Sequence, residues 1–474
     1  MRNLKAFNSI LAAAMTLTLL SGCGSTAAPS SSSDTGNADT ATAEEASEKS
    51  DDEVYDEDMV ENADTTSEDF MPKLDTEAAV TINVVGGYDN FPSLDAVALD
   101  FAEYYPNVTI SYEKIDDYNN VKDMLLTDNP DVDIFMANNT AVKNDSVIMD
   151  IAVNLADESI GFDLSALDEG VLASAKSGDE LLRLPLYSTC AGLIVNTTLL
   201  EENNLSIPEN YDEFIKCCDE LKALGYTPIY GYDKDGATNM SLGLYSGLVM
   251  VEMAHKNSDG SIQNAINAGE EGAEEAYLEP LKRAEDFAKL GYYSEETNSE
   301  IEDSYEGAIL RFFEGDVPFL SATSETMSGT KKRESKSEHF TAEPFEYTFI
   351  ATPMGENGSY AYINSSEGLA VNKNAANLEF AEEFLRFYCQ VAELNKSADE
   401  KGMLSTSSEA ESAACFPDLK LDDGEYTAYI SDFYLESAPS KTINTILAMV
   451  SDDGISAEDA LSQYREIYDG FNEQ

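Results

Sequence analysis

The sequence predicts an α/β protein whose sheets carry helices on both faces. Two observations lead there. Short β-rich runs, among them Val80–Val85, Val108–Tyr112 and Val132–Met136, alternate with helical patterns of ten to fifteen residues, the signature of strand-helix-strand units. Val132–Met136 is also short and apolar enough for a strand buried on both faces in a parallel sheet.

The elements follow in chain order. Val80–Val85 ends in Gly86-Gly87, where backbone can turn and come close to a ligand. From Leu94, the residues Val97, Ala98, Phe101 and Tyr104 recur at helical spacing until Pro106 stops the pattern. Val108–Tyr112 is the next strand, and a polar helix spans Tyr118–Thr127. Asn129-Pro130-Asp131 then turns the chain into Val132–Met136. Ligands of such sheets sit beyond the carboxyl ends of the strands, which here are Gly87-Tyr88-Asp89 and Ala137-Asn138-Asn139-Thr140.

Further on, Leu184-Pro185-Leu186-Tyr187 leads into a strand at Leu193-Ile194-Val195. Asn210 with Glu213 predicts a capped helix whose buried face carries Phe214, Ile215, Cys218, Leu221 and Leu224, closed by Gly225. Helices are expected at Glu274–Leu290 and Glu302–Glu314, each closed by a glycine, then a strand at Val317–Leu320 and a polar turn at Ser321–Glu325. Phe345–Ala351 reads as a strand and Asn377–Asn395 as one long amphipathic helix. Two more helices follow from Lys441.

The N-terminus is different in kind. Arg2 and Lys5 precede the apolar run Ile10–Leu20, which ends in Leu20-Ser21-Gly22-Cys23. As a helix that run reaches only about 16 Å, half a bilayer core, so it reads as an export signal rather than a span. Leu-Ser-Gly-Cys resembles the bacterial lipobox, which implies cleavage before Cys23 and a diacylglycerol on its sulfur. Residues 23–79 are rich in Ser, Thr, Ala, Asp and Glu and almost free of aliphatic side chains, so they predict a disordered acidic tether.

With 91 acidic and 28 basic residues, the formal net charge is −63, which excludes a nucleic-acid binder and disfavours strongly anionic ligands. Beyond Cys23, the five cysteines Cys190, Cys217, Cys218, Cys389 and Cys415 are odd in number and include an adjacent pair. They read as buried thiols rather than a disulfide framework, with any pairing left open. The two histidines, His255 and His339, stand in polar stretches, and no nucleophile elbow, phosphate loop or His-Glu-x-x-His occurs. Asp233-Lys234-Asp235-Gly236 and Asn257-Ser258-Asp259-Gly260 mimic half a calcium loop, but neither has the closing glutamate, so both are turns. No cofactor or metal is called for.

Eight motifs in order resemble the family 1 extracellular solute-binding proteins of ABC importers. They are Tyr104-Tyr105-Pro106-Asn107-Val108, Pro130-Asp131-Val132-Asp133, Leu184-Pro185-Leu186, Val195–Leu200, Ile207–Phe214, Leu221–Gly225, Phe312–Asp316 and Phe380–Leu385. The resemblance implies a two-lobed, periplasmic-binding-protein-like fold of type II, with a solute in the cleft between lobes and closure on binding. The expected division is a signal peptide at 1–22, the lipidated tether at 23–79, a first lobe at 80–187 and 324–388, and a second at 188–323 and 389–474. Crossings between lobes are expected near Tyr187–Ser188, Ser321–Ser324 and Phe387–Gln390.

By position, the cleft candidates are Tyr88, Asp89, Asn138, Asn139, Tyr187, Tyr245, Ser324, Glu325 and Tyr362. The chain has no Trp, so its 25 Tyr residues would have to supply any stacking platform. The function implied is capture of an oligosaccharide without chemistry and delivery to a membrane permease, by a monomer held outside the cell through Cys23. Two rivals share the composition: a surface lipoprotein of the same fold that binds peptides or cell-surface ligands, and a glycan-active enzyme.

Overall fold

The computed structural model describes residues 70–472 apart from 116–117, 128–130, 232, 235–236, 239–243, 245–247, 250, 254–260, 294–304, 366, 411–415, 421–426, 430–437 and 452. All of them belong to one unit, Ser67–Gln474. Cys23, the expected signal segment, the expected tether up to residue 69, Tyr245, His255, Asn257–Gly260 and Cys415 lie outside the described residues.

The strands in chain order are β1 (Val80–Gly86), β2 (Val108–Lys114), β3 (Ile134–Asn138), β4 (Leu184–Pro185), β5 (Tyr187–Asn196), β6 (Ile229–Tyr230) and β7 (Asp233–Lys234). They continue with β8 (Ala237–Thr238), β9 (Phe319–Thr323), β10 (Tyr347–Ala351), β11 (Ala361–Asn364), β12 (Glu367–Val371), β13 (Leu404–Ser405) and β14 (Thr427–Tyr429). One sheet has the order β2-β1-β3-β12-β4, with β1 parallel to β2 and β3. The other has the order β14-β11-β5-β9-β6, and β10 and β13 also pair with β5. β7 and β8 pair antiparallel in a small two-stranded sheet of their own, and Asp235-Gly236 of the turn expected at Asp233–Gly236 lie outside the described residues.

Each sheet is buried on both faces. Along β3, Ile134 and Met136 enter one core with Phe101, Phe384 and Leu394, while Phe135 and Ala137 enter another with Val121, Leu125 and Ile148. Alternating side chains of one strand thus meet helices above and below. β5 repeats the arrangement: Leu193 and Val195 pack with Phe214, Leu281 and Ile446, and Ile194 packs with Phe312, Met327 and Phe349. The helix Tyr211–Leu224 starts as its capping residues dictate, with Asn210 Oδ1 accepting from the Glu213 amide at 3.1 Å. Cys217 and Cys218 are both buried on its inner face.

Three expectations are corrected. The tether does not run to residue 79, because Phe70 is buried between Tyr104 and Phe387, with ring centroids 5.1 and 5.0 Å away. The Lys73 amide donates to Glu383 at 2.9 Å, and Arg386 holds the Met71 carbonyl at 2.8 Å. A single aromatic residue has enough apolar area to pin the end of a polar segment. The turn at Ser321–Glu325 is instead the end of β9 and the start of a helix, Ser324–Arg333, capped by the Thr323 hydroxyl at 3.3 Å from the Thr326 amide. Asn377–Asn395 is two helices, Leu378–Tyr388 and Val391–Lys401, broken where Gln390 is extended. The break folds the second helix back against Pro92–Tyr104 and buries Leu394 and Ala398.

The crossings also differ from expectation. The first lies at Leu186, between β4 of one sheet and β5 of the other. The chain does not return at 324, because β10 and β11 both pair with β5. It returns between Asn364 and Glu367. There β11 pairs with β5, and β12 with β4, in the same antiparallel register: Asn364 faces Thr189 and Gly368 faces Pro185. The third passage is at Met403–Ser405, where Met403 sits in the core of the first body, Leu404 in that of the second, and β13 pairs with Ser188 and Tyr187. The segment around Phe387–Gln390 stays within the first body. The bodies are therefore joined by three neighbouring extended segments.

Candidate functional site

The end of β1 places Tyr88 beside these crossings. Its backbone is held on both sides by one phenol, since the Tyr88 amide donates to Tyr112 Oη at 2.9 Å and Tyr112 Oη donates to the Tyr88 carbonyl at 3.0 Å. Phe91 meets its ring edge-on at 5.1 Å. Gly86, just before, is close to its own core rather than to a ligand: a Cβ there would come within 2.3 Å of Met136 Sδ.

Burial first, and then the carboxylates Glu367 and Glu325, push the Tyr88 phenol well above its usual range. Glu367 opens β12 on the crossing strand, and Glu325 is exposed in the first turn of Ser324–Arg333 in the second body. The Glu367 carboxyl is itself raised by burial and by Glu325, against the pull of Arg183 and Lys401. The Lys401 ammonium stands over the Tyr88 ring, 3.8 Å from its centre. Side chains from both bodies thus share one field around Tyr88.

Near it lies Arg183, fully buried, where burial lowers its pKa to about 10 and leaves it charged at neutral pH. Its Nη2 donates to Asn139 Oδ1 at 2.6 Å and to the Ser365 carbonyl at 2.5 Å, while Nε and Nη1 meet no acceptor among the described residues. Gly368 gives it room, since a Cβ there would lie 2.6 Å from Nη1. Two orphaned donors on a buried guanidinium are costly.

The nine candidates divide accordingly. Tyr88 shares one electrostatic field with Glu325. Tyr187 is its buried neighbour: its phenol, raised to about 12 by burial, bonds the Ser93 hydroxyl and packs within the first body. Asn139 is buried and serves Arg183. Asn138 is exposed, with its side chain capping the helix Asn139–Asn144 at 2.9 Å. Asp89 points outward, paired with Lys114. Ser324 is buried and accepts from the Cys190 amide at 3.0 Å, and Tyr362 is buried in the second core. Tyr245 lies outside the described residues.

Sequence reasoning missed Arg183, Glu367 and Lys401. Arg183 had a signal, as the one charge in Leu181–Leu186, whereas Glu367 and Lys401 are ordinary charges in polar surroundings. A depression of about 530 Å³ elsewhere is lined by Leu164, Ser165, Leu167, Asp168, Glu169, Leu172 and Ser408, and none of the candidates borders it. Among the described residues, no group of three His, Cys, Asp or Glu side chains is placed to hold a metal, and no helix is long and apolar enough to cross a membrane.

Residues 88–389 match the sequence profile of the bacterial extracellular solute-binding proteins. The chain belongs to that family. A curated relative, the multiple sugar-binding protein of Streptococcus mutans, is 23% identical over 236 residues. That match takes 48% of this solute-binding protein, which spans about half (51%) of the relative's length. A family 1 extracellular solute-binding protein from Bifidobacterium longum subsp. infantis has a similar structure, with a TM-score of 0.62 at 17% identity over 83% of this chain and 99% of that one. The cyclic alpha-maltosyl-1,6-maltose binding protein of Arthrobacter globiformis gives 0.60 at 15% identity, over 83% and 99%. The fold is therefore the two-lobed, type II binding-protein fold, and the family binds solutes rather than transforming them.

Proposed function

We propose that the protein captures a neutral oligosaccharide between its two bodies and passes it to an ABC permease, while a lipid on Cys23 holds it at the outer face of the membrane. The observation that carries this reading is the placement of Tyr88. A fixed ring offers an apolar face for a sugar, and Glu367 and Glu325, from the crossing strand and the second body, are acceptors for sugar hydroxyls. A solute that touches both bodies is bound only when they are together, so binding favours the closed state. The sugar-binding names of the Streptococcus mutans and Arthrobacter globiformis relatives agree with this class.

Melting shifts of the folded unit, read against neutral oligosaccharides, oligopeptides and metal ions, test the class. A sugar at 100 times its dissociation constant should add about 2.7 kcal/mol of stability. A response to peptides with none to any sugar would replace the reading with the peptide-binding one. The anchor has a separate test: Cys23→Ser should release the exported protein from the membrane fraction, and unchanged membrane association would remove the lipid from the account.

A further inference from the structure

Tyr88 offers one platform, and a side chain of the protein already stands on it. Lys401 is the last residue of the helix Val391–Lys401, stopped by Gly402 in a left-handed conformation at φ 69°. That geometry directs the half-buried Lys401 side chain over the Tyr88 ring at 3.8 Å. Tyr112 fixes the backbone that carries the ring, and Phe91 meets the ring edge-on, so the ring cannot turn away without losing its contact with Phe91. Glu367 and Glu325 add negative potential at the same place. An ammonium over an aromatic face beside two carboxylates is a cation site filled from within.

We propose that Lys401 is a specificity-determining residue of the cleft, holding the face of Tyr88 until a solute ring that stacks there displaces it. This rests on the oligosaccharide reading. A neutral sugar must break the contact between the ammonium and the ring, so its affinity is reduced by the strength of that contact. Solutes that fill the cleft without stacking on Tyr88 escape the reduction. The residue therefore grades neutral sugars by whether they use the ring.

The test is a calorimetric titration of raffinose, maltotriose and chitotriose into the wild-type unit and Lys401→Ala. Wherever a sugar binds through Tyr88, as shown by weakening in Tyr88→Ala, Lys401→Ala should bind it roughly three- to tenfold more tightly. A second readout needs no sugar. After reductive ¹³C-methylation of the lysines, one resonance should be shifted upfield by the ring, disappear in Lys401→Ala and lose its shift in Tyr88→Leu. It should return toward the ordinary lysine position when the sugar saturates the site. Unchanged or weaker sugar binding in Lys401→Ala would overturn the proposal and leave the oligosaccharide reading intact, as would a lysine resonance that ignores the sugar. A sugar that binds without weakening in Tyr88→Ala overturns the proposal alone, and if neither these sugars nor any neutral oligosaccharide of the melting panel binds either protein, the oligosaccharide reading fails and the proposal with it.

Discussion

Arg183 carries its charge fully buried, with one nitrogen bonded and two without acceptors among the described residues. Removing this buried charge leaves Asn139 Oδ1 without its donor and the Ser365 carbonyl with only the 3.3 Å bond from Asn139 Nδ2. Arg183→Met should therefore cost about 2–4 kcal/mol in urea unfolding. Glu393 poses the opposite problem. It is fully buried between the helices Val391–Lys401 and Pro92–Tyr104, no donor among the described residues reaches either of its oxygens, and its neighbour Asp100 is paired with Lys396. Burial, and then the charge of Asp100, raise its pKa from 4.5 to about 8. An acid raised in this way is neutral in the folded protein while ionised in the unfolded chain. Its contribution is complete below pH 4.5, declines as pH rises toward 8 and is flat above that. Glu393→Gln should thus be more stable than wild type by about 2–4 kcal/mol at pH 9, with the gap closing toward pH 4. Denaturation at several pH values checks this, and a pH-independent difference would contradict it.

At the scale of elements, the crossing ribbon concentrates the constraints. Gly368 stands opposite Pro185 with no room for a side chain, because a Cβ would lie 2.4 Å from the Leu184 carbonyl and 2.6 Å from Arg183 Nη1. Gly368→Ala should cost about 1–3 kcal/mol by overpacking against backbone that cannot yield. The segment Phe70–Leu74 is held by the Phe70 ring together with hydrogen bonds between its backbone and Glu383, Tyr105 and Arg386, and Phe70→Ala should lower stability by about 2–4 kcal/mol and expose this stretch to proteases. These elements also show what the sequence could and could not reveal. Strands such as Val132–Met136 and helices such as Tyr211–Leu224 were legible because period and caps are local. Gln390 was not, because the apolar pattern runs on at helical spacing across the break and only packing against Pro92–Tyr104 requires one. Ser321–Ser324 was misread because hydroxyl side chains suit a turn and a helix cap equally well, and pairing of β9 with β5 decides for strand and cap.

For the whole molecule, three adjacent extended segments join two bodies that each bury a sheet between helices. The proposed closure would rotate the bodies by small changes at these segments while both cores stay intact. The α/β class and the two bodies followed from the sequence, but the return crossings did not, because register between distant strands leaves no local mark. Of the residues that share the field around Tyr88, chain position in the sequence pointed only to Tyr88 and Glu325. Glu367 and Lys401 reach the same ring from far along the chain. The account stands most directly on one measurement, calorimetric titration of a sugar identified by melting shift into wild type, Tyr88→Ala and Glu325→Gln. The predicted result is a single site of micromolar affinity, about −8 kcal/mol, weakened at least about tenfold in each variant without loss of thermal stability. Full affinity in both variants would contradict it, since the sugar would then lie outside the cleft built around Tyr88.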